Sequence, residues 1–343
     1  MKKLSFFKRI MLFLNMIVVF CLFLACIVPY TSIASLAFIS LTVPALVCIN
    51  MLFVLYWVLA KKVYLFFSLL ILVFGYFTLG SFIGFNSKLN NTLEGGAISL
   101  LSYNVLGFHG KNYNEWEIST SGDIVEFVES EDPSIICFQE FQSYHLKNDM
   151  LKNYPYVANN FENQKDNISV NLAVYSKYKI INSEKLVFPD TYNGGLFIDM
   201  IVQTDTVRVF NLHLQSFAVR PNNLKYERSD RLFVRLRDSF EKQLQQAEII
   251  REFINNSPYK VIVAGDFNNT QFSKVYFNIK GNLKDTFLEA GRGYGETIKF
   301  WKFPFRIDMI LTDPSIEVLS HKNYKIDISD HEPIMATFKI PHQ

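Results

Sequence analysis

The stretch VIVAGDFNNT, residues 261–270, joins an apolar run to a polar turn that contains Gly265, Asp266 and Asn268. Four apolar residues followed by Gly and Asp are typical of a buried strand that ends in a tight turn. Because a strand ends at the edge of its sheet, we expect this turn to present a carboxylate and an amide there. Similar stretches recur along the chain, and together they indicate the fold.

Eight segments are short, β-rich runs that end in polar residues. They are residues 97–105, 134–140, 171–177, 196–202, 207–214, 260–267, 306–312 and 334–340. Between them, residues 122–133 and 239–258 have helical spacing, and Pro133 and Pro258 mark the ends of these helices. The alternation predicts one α/β domain of about 250 residues, in which helices cover the sheets.

The strand ends carry polar side chains of complementary chemistry. In chain order these are Asn104 in SYN, Glu140 in FQE, His213 in NLH, Asp266 and Asn268 in GDFN, Asp308 in RID, and Asp330 and His331 in SDH. Carboxylate and amide oxygens bind hard cations, whereas imidazoles transfer protons or stabilise developing negative charge. Because the set lacks soft ligands, it predicts Mg²⁺ or Mn²⁺ rather than zinc.

Each of these residues also has an ordinary structural explanation. A single Asp at a strand end usually caps a turn, and a single His is usually structural. Taken alone, Asn104 and His213 are better explained in this way. Six motifs in a fixed order along one domain favour a catalytic site instead.

This ordered series resembles the endonuclease/exonuclease/phosphatase superfamily, with its DNase I-like fold, over nearly all of residues 97–341. The resemblance implies a four-layer α/β sandwich and a metal-dependent hydrolase that acts on phosphoester bonds. It also implies that Glu140 binds the metal ion, with Asn104 and Asp330 as further ligands, directly or through water. One departure is Asn171 at the edge of the groove, where many members have glycine.

The resemblance implies catalytic roles for the other five residues. Asp266 would orient and deprotonate the attacking water, and Asn268 would donate hydrogen bonds to the phosphoryl oxygens. His331, held by Asp308, would stabilise the transition state. His213 would contact the phosphate or assist the leaving group.

Residues 1–90 form a separate and strongly apolar part of the chain. Uncharged stretches at 10–28, 33–60 and 63–85 are each long enough to cross a bilayer as a helix. The sequence therefore predicts a membrane anchor of three transmembrane helices in residues 1–90, followed by a catalytic domain in residues 91–343. An alternative for the first stretch is a signal peptide that is cleaved near Cys26.

The flanking charges predict the orientation of this anchor. Lys and Arg precede the first stretch, and Lys61 and Lys62 separate the second from the third. Because cytoplasmic ends collect basic residues, the N-terminus is expected inside and the catalytic domain outside a bacterial inner membrane. None of the stretches contains an ionisable acid or base, which argues against a transporter.

An extracytoplasmic site tethered beside a bilayer favours a lipid-linked phosphate or diphosphate as the substrate. The three-span arrangement also resembles a membrane-bound bacterial branch of the superfamily that includes the VanJ-type teicoplanin-resistance proteins. Of 34 basic and 32 acidic residues, seven basic and no acidic residues precede Glu94, so the rest of the chain has a net charge of −5. This charge makes nucleic acid a less favoured partner, and an extracytoplasmic nuclease is the alternative. A non-enzymatic membrane scaffold is a further alternative.

Two segments are candidates for contact with the membrane or with an anionic substrate. Residues 220–238 place Arg228, Arg231 and Arg235 on one helical face, and residues 299–306 alternate aromatic and basic residues. The first segment is somewhat more typical of a solvated helix that packs its leucines on a sheet. The second is equally typical of a buried aromatic strand.

Overall fold

The protein is described from a computed structural model, in which the described residues are 5–31, 37–86, 96–110, 120–146, 150–161, 170–219, 228–300 and 302–341. The helices are α1 (Phe6–Ile27), α2 (Ile39–Leu59), α3 (Leu65–Leu79), α4 (Ser121–Glu131), α5 (Ser229–Asn255), α6 (Lys274–Lys280) and α7 (Thr286–Ala290). The strands are β1 (Gly84–Phe85), β2 (Ala97–Asn104), β3 (Ile135–Gln139), β4 (Tyr156–Asn159), β5 (Ala173–Ser176), β6 (Ile180–Val187), β7 (Gly194–Val202), β8 (Asp205–His213), β9 (Lys260–Asp266), β10 (Lys284–Asp285), β11 (Arg292–Gly293), β12 (Ile298–Phe300), β13 (Phe303–Phe305), β14 (Asp308–Thr312), β15 (Glu317–Asn323) and β16 (Ile334–Lys339).

Two six-stranded sheets form the centre of the α/β domain. Their strand orders are β15-β16-β2-β3-β5-β4 and β10-β14-β9-β8-β7-β6. In each sheet one central pair is parallel, β2 with β3 and β8 with β9, and the other neighbours are antiparallel. All eight predicted strands are present, within a few residues of their expected bounds.

The domain has four layers. Apolar residues from both sheets, such as Leu100 and Val209, meet in a buried core between them. Helix α4 covers the outer face of the first sheet, where Val128 packs with Phe138. Helices α5 and α6 cover the outer face of the second sheet, where Ile250 and Val275 pack with the apolar residues of β8 and β9. The predicted four-layer α/β sandwich is therefore confirmed.

Strands β4, β6 and β15 were not predicted from the sequence. Each is an edge strand of its sheet, and β10 forms the remaining edge of the second sheet. Strand β6, with the sequence IINSEKLV, is mostly exposed, and β15 is partly exposed along its length. Edge strands bury less apolar surface, so their sequences carry a weaker hydrophobic signal.

Helices occur near all three predicted membrane spans, but their bounds differ from the prediction. Phe6–Tyr30 and Ile39–Leu59 are long and apolar enough to cross a membrane. Helix α3 has only 15 residues, which corresponds to roughly 22 Å against a hydrocarbon core of about 30 Å.

The predicted third span, residues 63–85, thus extends beyond the helix that the structure shows. Helix α3 ends at Leu79, because the next residue, Gly80, has a φ of +86°, which is not a helical conformation. Gly84 and Phe85 then pair with β11 of the α/β domain. A Cβ on Gly84 would lie 2.3 Å from the carbonyl oxygen of Gly291, so this close pairing requires glycine.

The helical bundle, α1 to α3, contacts the α/β domain through the end that contains Thr31 and Phe82. Phe272, which follows β9, is fully buried against apolar residues of all three helices, and its ring lies 5.2 Å from that of Phe82. Lys274 Nζ donates a hydrogen bond to the carbonyl oxygen of Thr31 at 2.7 Å. The segment that follows the GDFN turn therefore packs the α/β domain against the bundle.

Candidate active site

The two sheets bring the predicted polar residues to one edge of the sandwich. His213 and Asp266 are partners at the ends of the parallel strands β8 and β9, and Asp308 is the antiparallel partner of Asp266. Asn104 ends β2, and Glu140 directly follows β3 in the facing sheet. Register within the second sheet, together with the packing of the two sheets on each other, therefore places these side chains beside one another.

The backbone of the GDFN turn explains two of its residues. Gly265 has a φ of +140°, and a Cβ there would lie 2.1 Å from the carbonyl oxygen of Leu212, so only glycine fits. Asn268 has a φ of +48°, a left-handed conformation that Asn tolerates better than most residues. Its backbone N–H donates to Asp266 Oδ1 at 2.7 Å.

Asn104 links the two sheets at the centre of the site. Its Nδ2 donates to Glu140 Oε1 at 3.0 Å and to Asp266 Oδ2 at 3.1 Å. Its Oδ1 accepts from the backbone N–H of Leu106 at 3.1 Å. These bonds fix which way the amide faces, so both carboxylates receive a donor from one side chain.

His331 and Asp308 form a buried pair. His331 Nδ1 donates to Asp308 Oδ2 at 2.9 Å, while its Nε2 lies 3.6 Å from Asp266 Oδ2. Burial alone would lower the pKa of His331, but the charges of Asp308 and Asp266 outweigh it and raise that pKa well above its ordinary value. The site can therefore hold a positively charged imidazolium at neutral pH.

His213 lies on the opposite side of Asp266. Its Nδ1 donates to Asn193 Oδ1 at 2.7 Å, and its Nε2 lies 3.2 Å from Glu140 Oε1. Burial would lower the pKa of His213, but the hydrogen bond to Glu140 and the charge of Asp266 raise it. Asn268 Nδ2 donates to the carbonyl oxygen of Leu214 at 3.0 Å and lies 3.4 Å from His213 Nε2.

The two central carboxylates have opposite pKa shifts. Burial would raise the pKa of Glu140, but hydrogen bonds from His213 and Asn104 lower it to about 2. Burial raises the pKa of Asp266 to about 6, because the nearby histidines offset the desolvation only in part. One carboxylate is thus held ionised, and the other titrates near the range expected of a general base.

The donor set fits a hard divalent cation. The Glu140 side chain is 33% exposed at the mouth of the site, whereas Asp308 Oδ1 is buried with no hydrogen-bond partner among the described residues. Ligand atoms of Asp266, Asp308 and His331 also lie within 4.8 Å of one another. A cation bound by those three would need the lone pair of a His331 ring nitrogen, so His331 could not be the imidazolium that its raised pKa favours, and the oxygens around Glu140 fit better.

Asp330 is the least integrated of the predicted site residues. Its side chain is exposed, and Asp330 Oδ1 lies 3.3 Å from Ser329 Oγ. Ser329 Oγ also lies 2.9 Å from the carbonyl oxygen of Asn104, to which it donates. Asp330 therefore lies at the rim of the site, beside His331. The other seven predicted residues lie at the centre of the site, within hydrogen-bonding distance or close to one another.

Sequence reasoning missed several residues that support the site. Asn193 holds His213, and Thr297 Oγ1 accepts from the backbone N–H groups of Ile307 and Asp308 at 3.0 and 3.2 Å. Neither Asn193 nor Thr297 belongs to a motif with a recognisable spacing. Asn171 stands where many family members have glycine. Its backbone carbonyl oxygen accepts a hydrogen bond from the backbone N–H of Phe141 at 2.9 Å.

The two candidate contact segments have different structures. Helix α5 begins at Ser229, and residues 220–227 lie outside the described residues. The aromatic segment forms the β12–β13 hairpin, in which Phe303 is 62% exposed, whereas Trp301 lies outside the described residues. Arg306, at its end, is buried and pairs with Asp285 at 2.8 Å, so this cation does not face a membrane.

Comparison with known families agrees with this fold. A model of the Endonuclease/Exonuclease/phosphatase family matches residues 101–331, and a model of a domain of unknown function matches residues 8–82. No curated protein matches the sequence.

Several solved structures share the fold at low sequence identity. D. rerio TDP2, complexed with a single strand DNA product, has a TM-score of 0.55 at 17% identity, covering 71% of this chain and 99% of that chain. A functionally unknown conserved protein from Enterococcus faecalis V583 has a TM-score of 0.54 at 18% identity, covering 71% and 100%. ANGEL2, a 2′,3′-cyclic phosphatase, was solved with adenosine-2′,3′-vanadate and has a TM-score of 0.53 at 15% identity, covering 71% and 95%.

At these identities the solved structures support the fold alone, whereas the family model spans more than half of the chain and includes both Glu140 and His331. The chain therefore belongs to the endonuclease/exonuclease/phosphatase family, whose members are phosphoester hydrolases that generally use divalent metal ions.

Proposed function

We propose that the protein is a membrane-anchored, Mg²⁺- or Mn²⁺-dependent phosphoesterase whose site faces the outside of the cell. The observation that carries this proposal is the convergence of seven polar residues on one edge of the sandwich: Asn104, Glu140, His213, Asp266, Asn268, Asp308 and His331. The set supplies every acid, base and amide group that phosphoester hydrolysis requires.

In the proposed mechanism Glu140 would hold the cation, with Asn104 and Asp330 as further ligands, directly or through water. Asn104 would have to turn its amide oxygen toward the cation, because Oδ1 accepts from the Leu106 N–H in this structure. A cation bound there would neutralise charge on the phosphoryl oxygens. Asp266 orients a water molecule and accepts its proton as the water attacks phosphorus, a task that suits a pKa of about 6.

The remaining residues act on the phosphoryl group. His331 stays protonated because Asp308 lies beside it, so it stabilises the charge that develops in the transition state. Asn268 has one amide N–H on the carbonyl oxygen of Leu214, and its other N–H is directed to a phosphoryl oxygen. His213 contacts the phosphate or donates a proton to the leaving group.

The favoured substrate is a lipid-linked phosphate or diphosphate at the outer surface of the bilayer. Phe272, which is buried against the bundle, follows Asp266 closely in the chain. The chain therefore runs over a short distance from the site to the predicted membrane surface. The uneven placement of Lys and Arg supports an outward-facing domain and a multi-pass anchor in a bacterial inner membrane. Two spans satisfy the length criterion, and a third, short span completes the proposed anchor.

A nuclease is the second candidate function. The solved structures of similar fold include one with a DNA product and one with an adenosine-vanadate ligand. The net charge of −5 from Glu94 onward argues against general affinity for a phosphate backbone. A non-enzymatic scaffold is less favoured because the catalytic set is complete.

The test is phosphate or phosphomonoester release by the full-length protein in detergent, with Mg²⁺ and with EDTA. The substrates are undecaprenyl diphosphate, a phospholipid mixture and plasmid DNA. Asp266→Ala is the inactive variant, and Asp123→Ala, on the exposed face of α4, is its matched control. Metal-dependent turnover of a lipid substrate is expected; cleavage of DNA alone would establish the nuclease, and no turnover by any preparation would favour the scaffold.

A further inference from the structure

Gln243 on helix α5 is a fully buried polar residue whose side chain contacts two loops at the edge of the second sheet. Its Nε2 donates to the carbonyl oxygen of Gln215 at 2.7 Å and to that of Asn268 at 3.2 Å. Its Oε1 accepts from Nδ2 of Asn269 at 2.7 Å. Gln215 lies in the loop after β8, whereas Asn268 and Asn269 lie in the loop after β9. One side-chain amide therefore joins the two loops.

The backbone partners fix which way this amide faces. A carbonyl oxygen can only accept a hydrogen bond, so the end of Gln243 that contacts two carbonyl oxygens must be its NH₂ group. Asn269 is oriented in the same way, because its Oδ1 accepts from the backbone N–H of Thr270 at 2.9 Å. Both N–H donors of Gln243 are thus used, and an apolar side chain in its place would leave both carbonyl oxygens without this donor.

The backbone of Asn268 is held at both of its polar groups. Its N–H donates to Asp266 Oδ1 at 2.7 Å, and its carbonyl oxygen accepts from Gln243. The φ of Asn268 is +48°, and a left-handed conformation of this kind persists when the surroundings hold it in place. Its Nδ2 also donates to the carbonyl oxygen of Leu214 at 3.0 Å. The direction of the remaining amide N–H therefore depends on contacts that include Gln243.

The loop after β8 is held by the same face of α5. The carbonyl oxygen of Gln215 accepts from Gln243, and the N–H of Gln215 donates to Gln246 Oε1 at 2.9 Å. Residues 243 and 246 are three apart, so they lie on one face of the helix. His213 lies two residues before Gln215, and its Nε2 is 3.4 Å from Asn268 Nδ2. Through two glutamines, helix α5 therefore holds the loops that carry His213 and Asn268.

We propose that Gln243 is a positioning residue for Asn268, which it holds at the distance from His213 that lets both side chains contact one phosphoryl group. Without Gln243, the loop after β8 keeps its bond to Gln246 and His213 keeps its bond to Asn193, whereas the carbonyl oxygen of Asn268 loses its side-chain donor. A displacement of about 1 Å in a catalytic contact can lower a rate about 100-fold. The proposal rests on the proposed function for the roles of Asn268 and His213.

Kinetics of the full-length protein test whether Gln243 acts through Asn268. Gln243→Leu keeps a similar volume but removes all of these hydrogen bonds, so kcat should fall about 10- to 100-fold, with a smaller change in KM. The substrate is the one that the full-length protein hydrolyses in the test of the proposed function. In an Asn268→Ala background, Gln243→Leu should lower kcat by less than about threefold, since no amide is left to position. Losses that multiply would overturn the proposal.

Two further variants separate positioning from a loss of stability. Gln243→Glu keeps the size of the side chain and an acceptor for Asn269, but it puts a carboxylate oxygen in place of the two donors, so kcat should fall as in Gln243→Leu. Ile250→Ala removes apolar packing between the same helix and the second sheet, so it should lower the melting temperature while kcat stays within about twofold. A parent-like kcat in Gln243→Glu, or an equal fall in Ile250→Ala, would contradict the proposal.

Amide hydrogen exchange tests the turn without turnover. Loss of Gln243 releases the side chain of Asn269, which accepts from the N–H of Thr270. In full-length Gln243→Leu in detergent, peptides that cover residues 267–272 should exchange about tenfold faster than in the parent, while peptides from β2 and β3 should be unchanged. Equal exchange in the two proteins would overturn the proposal. If the parent hydrolyses none of the test substrates, the proposed function fails, and the exchange rates still decide whether Gln243 orders the turn.

Discussion

At the scale of single residues, the pairing of each histidine with a hydrogen-bond acceptor has the clearest chemical consequence. His331 donates to a carboxylate, Asp308, whereas His213 donates to an amide, Asn193. A carboxylate stabilises an imidazolium charge as well as orienting the ring, but an amide mainly orients it. The two Nδ1 partners therefore have different tasks: Asp308 stabilises the charge of His331, whereas Asn193 positions His213, whose own charge is supported at Nε2 by Glu140.

Asp308→Asn tests the first task. Asn can still accept a hydrogen bond from His331 but no longer stabilises its positive charge, so kcat should fall about 10²- to 10⁴-fold. The measurement is kcat at saturating Mg²⁺, for the substrate that the turnover test identifies. Asp313→Asn, just beyond the other end of β14, is the control, and a kcat within about twofold of the parent in both variants contradicts the assignment.

Asn193→Ala tests the second task. Without the acceptor at Asn193, the ring of His213 loses its orientation, and kcat/KM should fall about 10- to 100-fold. Asn193→Asp keeps an acceptor in the same place and should recover much of the loss. Equal losses in both variants would show that His213 does not depend on this hydrogen bond.

At the scale of elements, the segment after β9 and the β12–β13 hairpin are held together by buried polar contacts. Arg306 donates to Asp285 through two nitrogens, at 3.0 and 2.8 Å, and to Gln271 Oε1 at 3.2 Å. Removing one partner of such a buried pair leaves an uncompensated charge, which is strongly destabilising. Through its hydrogen bond to Gln271, Arg306 therefore holds the loop that connects the active site with Phe272.

His321, on strand β15, should make the stability of the folded protein depend on pH. Its Nδ1 donates to Thr286 Oγ1 at 2.8 Å, and burial lowers the pKa of His321 to about 3. Between about pH 6.5 and about pH 3 the unfolded chain binds a proton that the folded chain does not, so His321 should cost about 1.4 kcal/mol of stability per pH unit as pH falls.

Above about pH 6.5 both states hold a neutral His321, and this contribution vanishes. The measurement is thermal unfolding of the full-length protein in detergent between about pH 4 and pH 8, compared with His321→Asn, which keeps a donor for Thr286. The variant should lose less stability toward low pH than the parent. Parallel pH profiles would contradict the assignment.

At the scale of the whole molecule, the bundle and the α/β domain share a packed contact. Phe272 lies in the same buried cluster as residues of α1, α2 and α3, and β1 pairs with β11 directly after the bundle. The outer surfaces of these helices carry many exposed apolar side chains, including Phe13, Leu52 and Phe77. Such a surface is typical of contact with a membrane.

The proposed topology predicts how the chain reacts with a membrane-impermeant maleimide. Glu184→Cys, on the exposed part of β6, should be labelled in intact spheroplasts. Lys61→Cys, between α2 and α3, should be labelled only after permeabilisation. The parent protein, with its four free cysteines, is the background control, and the reverse labelling pattern contradicts an outward-facing domain.

The sequence by itself determined the two-part organisation, the eight best-buried strands and the identity of the central polar residues. Hydrophobic runs report burial directly, and the GDFN turn is recognisable because the positive φ angles at Gly265 and Asn268 favour glycine and asparagine. These properties depend on neighbours in the chain, so the linear sequence contains them.

Only the tertiary structure decided the edge strands, the end of α3 and the role of Asn193. Edge strands such as β6 bury too little apolar surface to produce a period-two pattern. Asn193 reaches His213, 20 residues away in the chain, because β7 and β8 pair in register. Contacts of this kind depend on how strands and helices pack, and an unaligned sequence has no local signal for them.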